Sequence, residues 1–248
     1  MLVDSEIWWD QVRVAFAAAH GRTWTAADRT AVMGANSAAW ARIMRERLDL
    51  DLAEPDIERA IVDTVVERYR REGAPRIDGA VEAVRRIAAD RPVAVASSAH
   101  AEVIAAALGA SGLTDVFDVV VSSDEVAHGK PAPDVYLEAA RRLGREPAAC
   151  LVVEDSYNGV RSARAAGMTV VLVPNDSVPP APGTRELADV VLDRLADLDP
   201  SAIEPRGRSA PAPTPTADPA AAPAPAATPA PAADTAPAPA SAPAGRRG

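Results

Sequence analysis

The stretch LVVEDSYNGVRSARAAGM, residues 151–168, decides how the rest of the chain is read. An apolar run from Cys150 to Val153 stops at two adjacent carboxylates, Glu154 and Asp155. Asn158-Gly159 follows, then a short helix of small residues that ends at Gly167. Such a run bounded by turn residues reads as a buried parallel strand followed by a helix. Neighbouring carboxylates repel and ask for a cation beside them, and hard oxygen ligands suit Mg2+. A metal site built on one strand end needs further oxygen ligands from another.

Outward from this unit the pattern alternates. Residues 80–89 read as a helix and 92–96 as a buried strand. Residues 101–108 read as a helix closed by Gly109, and 117–121 as a strand. Residues 133–143 read as a helix with Pro133 at its start and Gly144 past its end, and 169–173 as a strand. A last strand and helix fall within residues 186–198. Alternating strands and helices predict an α/β fold, a Rossmann-like doubly wound parallel sheet.

Residues 5–72 carry no strand pattern and read as three helices. Trp8, Val12, Ala15, Phe16 and Ala19 form one stripe. Trp40, Ile43, Met44 and Leu48 form a second, capped by Asn36 or Ser37. Ile57, Ala60, Ile61, Thr64, Val65 and Tyr69 form a third, opened by Pro55.

Ligand sites of doubly wound sheets lie beyond the carboxyl ends of the strands. One strand leads into Ser97-Ser98-Ala99-His100. Another leads to His128-Gly129-Lys130-Pro131, and a third ends in Glu154-Asp155. Hydroxyls and a lysine suit a phosphoryl group and two acids suit Mg2+, so the combination points to metal-assisted phosphoryl chemistry.

Composition bounds the alternatives. The 248 residues are 48% hydrophobic but only 4% aromatic, so the core is built from Val, Ile, Leu and Ala. From Pro205 onward Pro and Ala dominate, with 12 of the 23 prolines in residues 205–248. A segment this poor in large apolar residues cannot offset its ordering entropy, and a disordered tail is expected, its protein partner unidentified. Formal net charge is −9, and the tail carries four Arg and two Asp, so residues 1–204 carry −11. That balance argues against nucleic acid or an anionic membrane surface as partner. No apolar run is long enough to span a bilayer, and MLVDSEIWWDQ has no basic segment ahead of an apolar one. Cys150 is the single cysteine and reads as a core residue, so a cytoplasmic location is expected.

VAVASS at 93–98, GKPAPDVYLEAARRLG at 129–144 and LVVEDSYNGVRSARAAGM resemble the last three motifs of the haloacid-dehalogenase-like (HAD) hydrolases. Within that superfamily they are most similar to the branch that includes β-phosphoglucomutase and phosphoglycolate phosphatase. The resemblance covers roughly residues 2–198. It implies an inserted helical cap domain at 5–74 and an α/β core at 75–200 completed by residues 1–4. It also implies a Mg2+-dependent phosphatase acting on a small phosphorylated metabolite, a sugar phosphate or a phosphoglycolate-like compound. In this resemblance Asp155 is a direct metal ligand and Glu154 supports the metal. Ser97 and Ser98 hold the phosphoryl group, and Lys130 neutralises its oxygens.

The family's first motif, Asp-x-Asp-Gly, supplies the nucleophile that becomes an aspartyl-phosphate, and the general acid/base. Leu2-Val3-Asp4-Ser5-Glu6 matches the residues that follow these two acids. The aspartates and their central strand are expected just upstream of Met1, the start having been misplaced at a GTG valine codon. The other reading is a protein without a nucleophile, which binds a phosphometabolite without turning it over. Loss of a central strand would leave buried backbone groups unpaired on both neighbours, and this favours the first reading. A sugar-phosphate mutase is disfavoured, because Gly34-Ala35-Asn36-Ser37 lacks the arginine that holds a second phosphate in the mutase, and Trp9 stands where its cap histidine is. Asp4 and Ser5 are expected to cap the first helix, His100 and His128 to be exposed loop residues, and Trp9 to face a substrate or a partner.

Overall fold

The structure is a computed structural model that describes residues 1–32 and 37–203, with only the backbone for Ser37 and Ala38. The expectations for the 34–36 segment, for the Asn36 or Ser37 cap and for the tail lie outside the described residues. The chain begins with four helices, α1 (Glu6–Ala19), α2 (Ala26–Val32), α3 (Ser37–Leu48) and α4 (Glu54–Glu72). Three of these follow the predicted stripes. The fourth, α2, is short and has no apolar period, so it left no signature.

Helix α4 shows why this region is helical. Pro55 lies in the first turn, where its missing N–H costs nothing, with Glu54 and Asp56 toward the positive end of the dipole and Arg70 and Arg71 toward the negative end. Its face Ile57, Ile61, Val62, Val65, Val66 and Tyr69 is buried against α1 and α3, and Gly73 at φ +80° ends it. On α1 the stripe is shifted from expectation: Val12 and Ala17 are buried, whereas Ala15 and Ala19 are exposed. Small alanines tolerate either side, so spacing alone did not fix the face.

The α/β part follows as α5 (Ala80–Ala88), β1 (Ala94–Ser97), α6 (Ala101–Ser111), β2 (Val119–Ser122), α7 (Asp134–Leu143), β3 (Leu151–Glu154), α8 (Tyr157–Ala165), β4 (Thr169–Leu172), α9 (Thr184–Leu187) and β5 (Val190–Val191). Gly109 does not end α6; the helix runs through it to Gly112, which adopts the left-handed conformation at φ +67°. Among the described residues the named strands pair in parallel, as predicted. They fall into two sheets, β1 with β2 and β3-β4-β5.

The two sheets face each other across an opening. A cavity of about 1670 Å³ is lined by every residue from 93 to 97 and every residue from 150 to 154. Successive strand side chains point to opposite faces, so a cavity that touches all of them runs along the strand edges. Among the described residues β1 and β3 therefore each carry one paired edge and one open edge, and the open edges form the walls of a slot. By contrast β4, paired on both sides, is buried at all four positions.

The entry and exit of the helical unit lie side by side. Val3 and Arg76 form an isolated antiparallel bridge, Asp4 N donates to Pro75 O at 2.7 Å, and Ile77 N donates to Leu2 O at 3.1 Å. Ser5 stands at the N-terminus of α1 without a side-chain cap hydrogen bond. Asp4 accepts from Asn175 Nδ2 at 3.3 Å and from the Ser177 hydroxyl. The expected capping role of both residues is thus corrected: Asp4 ties the first linker to the loop after β4.

Candidate active site

Lys130 is placed by the loop that precedes α7. Its peptide bond to Pro131 is cis. Ala132 N donates to Gly129 O at 3.0 Å, and Ser162 of α8 donates its hydroxyl to Ala132 O at 2.5 Å. The ammonium so positioned donates to Glu154 Oε1 at 2.6 Å, Tyr136 OH at 2.9 Å and Ala96 O at 3.2 Å. One side chain therefore spans the end of β1 and the end of β3 across the slot. The Lys130 and Glu154 side chains are 10% and 7% exposed, so this is a buried ion pair.

Glu154 has little capacity left. Oε1 also accepts from Tyr136 OH at 2.6 Å. Oε2 accepts from Asp155 N at 3.1 Å, Ser156 N at 3.2 Å and Ser156 Oγ at 3.0 Å. Burial alone would push this carboxyl up; Lys130, Tyr136 and the Ser156 amide outweigh it and hold it below the ordinary carboxylate range. Burial pushes the Tyr136 phenol well above its ordinary value, and Glu154 adds to the shift. Ser156 caps α8 by accepting from Gly159 N at 3.0 Å. Gly159 is needed for space: a Cβ there would lie 2.0 Å from Glu154 Cδ.

Asp155 turns the other way, with its carboxylate 3.1 Å from the Met1 ammonium. Ser97 closes β1, and its hydroxyl accepts from Ala99 N at 3.1 Å; Ser98 is exposed. Ser97, Ser98, Lys130, Glu154 and Asp155 all line the slot cavity. The five residues singled out from the sequence are thus brought to one edge, with Lys130 and Glu154 in contact.

Two readings of the histidines part ways. His128 is exposed and lies 3.0 Å from Asp134, as expected of a loop residue. His100 is not exposed: it is clamped between Glu58 of α4 at 2.9 Å and Asp124 at 2.8 Å, so it links the helical unit to the α/β part. Cys150 is half-buried at the edge of the core, and burial raises its thiol.

Tyr136 and Gly159 were missed. A Tyr on the buried face of a helix needs a partner for its hydroxyl, which was the available signal for Tyr136. A glycine inside the first turn of a helix disfavours that helix, and signals close approach by a neighbour.

Among the described residues no cluster of three or more His, Cys, Asp or Glu side chains is placed to hold a metal ion. Asp155 opens onto the cavity and is a hard oxygen donor. Mg2+ is commonly held by one or two carboxylates with water completing its shell, so the donor chemistry fits. Glu154, with both oxygens engaged, fits as a support for Asp155 rather than as a ligand.

A doubly wound parallel fold, serines and a lysine at the strand ends and two acids on the next strand define a class of phosphoryl-handling hydrolases. The sequence pattern of the haloacid dehalogenase-like hydrolases matches residues 2–167, and the chain belongs to that family. Its relatives include the probable pseudouridine-5'-phosphatase of Drosophila melanogaster, 34% identical over 193 residues, covering 73% of this chain and 80% of that protein. Protein CbbY of Rhodobacter capsulatus is 40% identical over 125 residues, 49% of this chain and 55% of that one. The structure of CbbY from Rhodobacter sphaeroides in complex with phosphate has a TM-score of 0.69 at 25% identity, covering 79% of this chain and 91% of that one. The chain spans only 28%, 55% and 48% of the first curated relatives that it matches. No described helix is long and apolar enough to cross a membrane.

Proposed function

We propose that the protein is a Mg2+-dependent phosphomonoester hydrolase acting on a small phosphorylated metabolite in the cytoplasm. Lys130 neutralises phosphoryl oxygens, and the Ser97 and Ser98 hydroxyls, with the backbone amides that open α6, hold them. Asp155 holds the metal, with Glu154 fixing the backbone of residues 155 and 156. Bound Mg2+ would offset negative charge on the phosphoryl group. The helical unit 5–74 is a cap over a core of residues 75–200 completed by 1–4, and the paired linkers at Val3 and Arg76 are its hinge.

One observation carries this reading: the slot along the open edges of β1 and β3 ends at Lys130, Asp155 and Ser97. A parallel strand laid in it would deliver its carboxyl end to those three residues. We place the nucleophilic aspartate on such a strand, preceding Met1. Its carboxylate attacks phosphorus and the ester P–O bond breaks. The alcohol leaves with a proton from the second aspartate, and water then hydrolyses the aspartyl-phosphate.

The test adds an apolar strand ending in Asp-x-Asp-Gly ahead of Met1. Phosphate release from a panel of sugar phosphates, phosphoglycolate and nucleoside monophosphates is then measured with Mg2+. Release that disappears in Lys130→Met supports the reading; no release across the panel overturns it.

A further inference from the structure

Arg13 carries a buried donor that meets no acceptor among the described residues. It lies on α1 one turn after Trp9, so the two share a face. Its guanidinium carbon is 5.5 Å from the centre of the Trp9 ring and 5.4 Å from that of Trp40, on α3. The two indoles meet edge to face at 6.4 Å, and Trp40 is buried. Arg13 Nε is buried with no hydrogen-bond partner, and Arg13 makes no hydrogen bond or ion pair among the described residues.

Its neighbours in the helical unit behave otherwise. Arg29, Arg45, Arg47, Arg59 and Arg68 each hold a carboxylate within 3.1 Å. The acids nearest Arg13 do not satisfy it. Asp10 is taken by Arg29 at 2.5 and 2.7 Å and by Trp24 Nε1 at 3.2 Å. Glu6 acts on Arg13 through space, with no hydrogen bond between them among the described residues. Arg13, Trp9 and Trp40 line the same cavity as Lys130, Ser97 and Asp155.

A half-buried guanidinium whose Nε is buried and idle is costly unless an anion meets it, and its planar fork matches carboxylate and phosphate oxygens. Packing against two indoles fixes its orientation before any ligand arrives. We propose that Arg13 binds an oxyanion on the part of the substrate remote from the transferred phosphoryl group, so that the protein selects phosphomonoesters bearing a second anionic group. This rests on the phosphatase reading and specifies its substrate class as doubly anionic, with a carboxylate or a phosphate at the far end.

The test is equilibrium binding to the full protein with Mg2+, using non-hydrolysable phosphonates of two to six carbons. One series ends in a methyl group, one in a carboxylate and one in a second phosphonate. At the best-fitting length a doubly anionic probe binds roughly tenfold or more tighter than its methyl counterpart, the scale of one charge-assisted hydrogen-bond pair. The better of the two end groups identifies the oxyanion. Arg13→Gln collapses that ratio, and Arg13→Lys restores part of it by returning the charge without the fork. A ratio near one in the wild type, or one that Arg13→Gln leaves intact, overturns the inference. A structural role alone would weaken all series together and preserve the ratio, which also overturns it. If no series binds the wild type, the phosphatase reading itself fails and the inference falls with it.

Discussion

A Cβ at residue 159 would lie 2.0 Å from the carboxyl carbon of Glu154, so the buried pair with Lys130 depends on the hydrogen that glycine carries there. Gly159→Ala is expected to displace that carboxylate and cost on the order of 3 kcal/mol, as when a buried ion pair is broken. Urea unfolding checks this, and a loss below about 1 kcal/mol would mean that α8 shifts to make room. Glu154 also sets an acid limit. Its folded carboxyl is held low, so its contribution is complete above the unfolded value of about 4.3 and is lost as pH falls from there through the folded value. In Glu154→Gln the stability loss below about pH 4.3 should be shallower than in wild type, measured by unfolding at stepped pH. Lys130 and the two acids were legible in the sequence because polar residues at the ends of apolar runs stand out. Tyr136 and Gly159 were not, because their meaning lies in contacts made across the fold from other elements.

At the scale of elements, the alternation of strands and helices could be read directly, since short apolar runs between turn residues and stripes of period 3.6 leave different traces. What the sequence concealed was context. Helix α2 has no stripe, α6 passes through Gly109, and Asp4 reaches the loop at Asn175 and Ser177 rather than its own helix. Ile61 is fully buried between helices, and Ile61→Ala is expected to cost about 2–5 kcal/mol in thermal or urea unfolding. The strand edges give a second expectation. With no strand added ahead of Met1, the slot-facing amides of β1 and β3 should exchange with deuterium far faster than those of β4, which is hydrogen-bonded on both sides. Equal protection across all three strands would show that the slot is closed in solution.

For the whole molecule, the two sheets are held together mainly by side chains. Lys130 reaches from Ala96 to Glu154, and α7 packs against β1, β2 and α8. A strand inserted between β1 and β3 would replace those few ties with two ladders of backbone hydrogen bonds. Extending the chain ahead of Met1 by an apolar strand should therefore raise the melting temperature by several degrees, in line with a gain of one to a few kcal/mol. An unchanged midpoint would show that the strand does not enter. The fold class could be read from residues 80–198, and a gap at the central strand was expected from the family resemblance; which strands would flank it had no local mark, because parallel strands are separated by whole helices.

The open edges of β1 and β3 also have a colloidal consequence. Unpaired, apolar strand edges are templates, and extended segments of neighbouring molecules can satisfy them. A molecule whose slot stays empty should donate a loosened strand to one copy while accepting one from the next. Because the donating and accepting surfaces differ, such exchange closes into a ring where the rotation between copies allows it and otherwise grows into chains. Turbidity that rises with protein concentration, and that a short apolar β-peptide suppresses, would be the visible sign of the vacant groove.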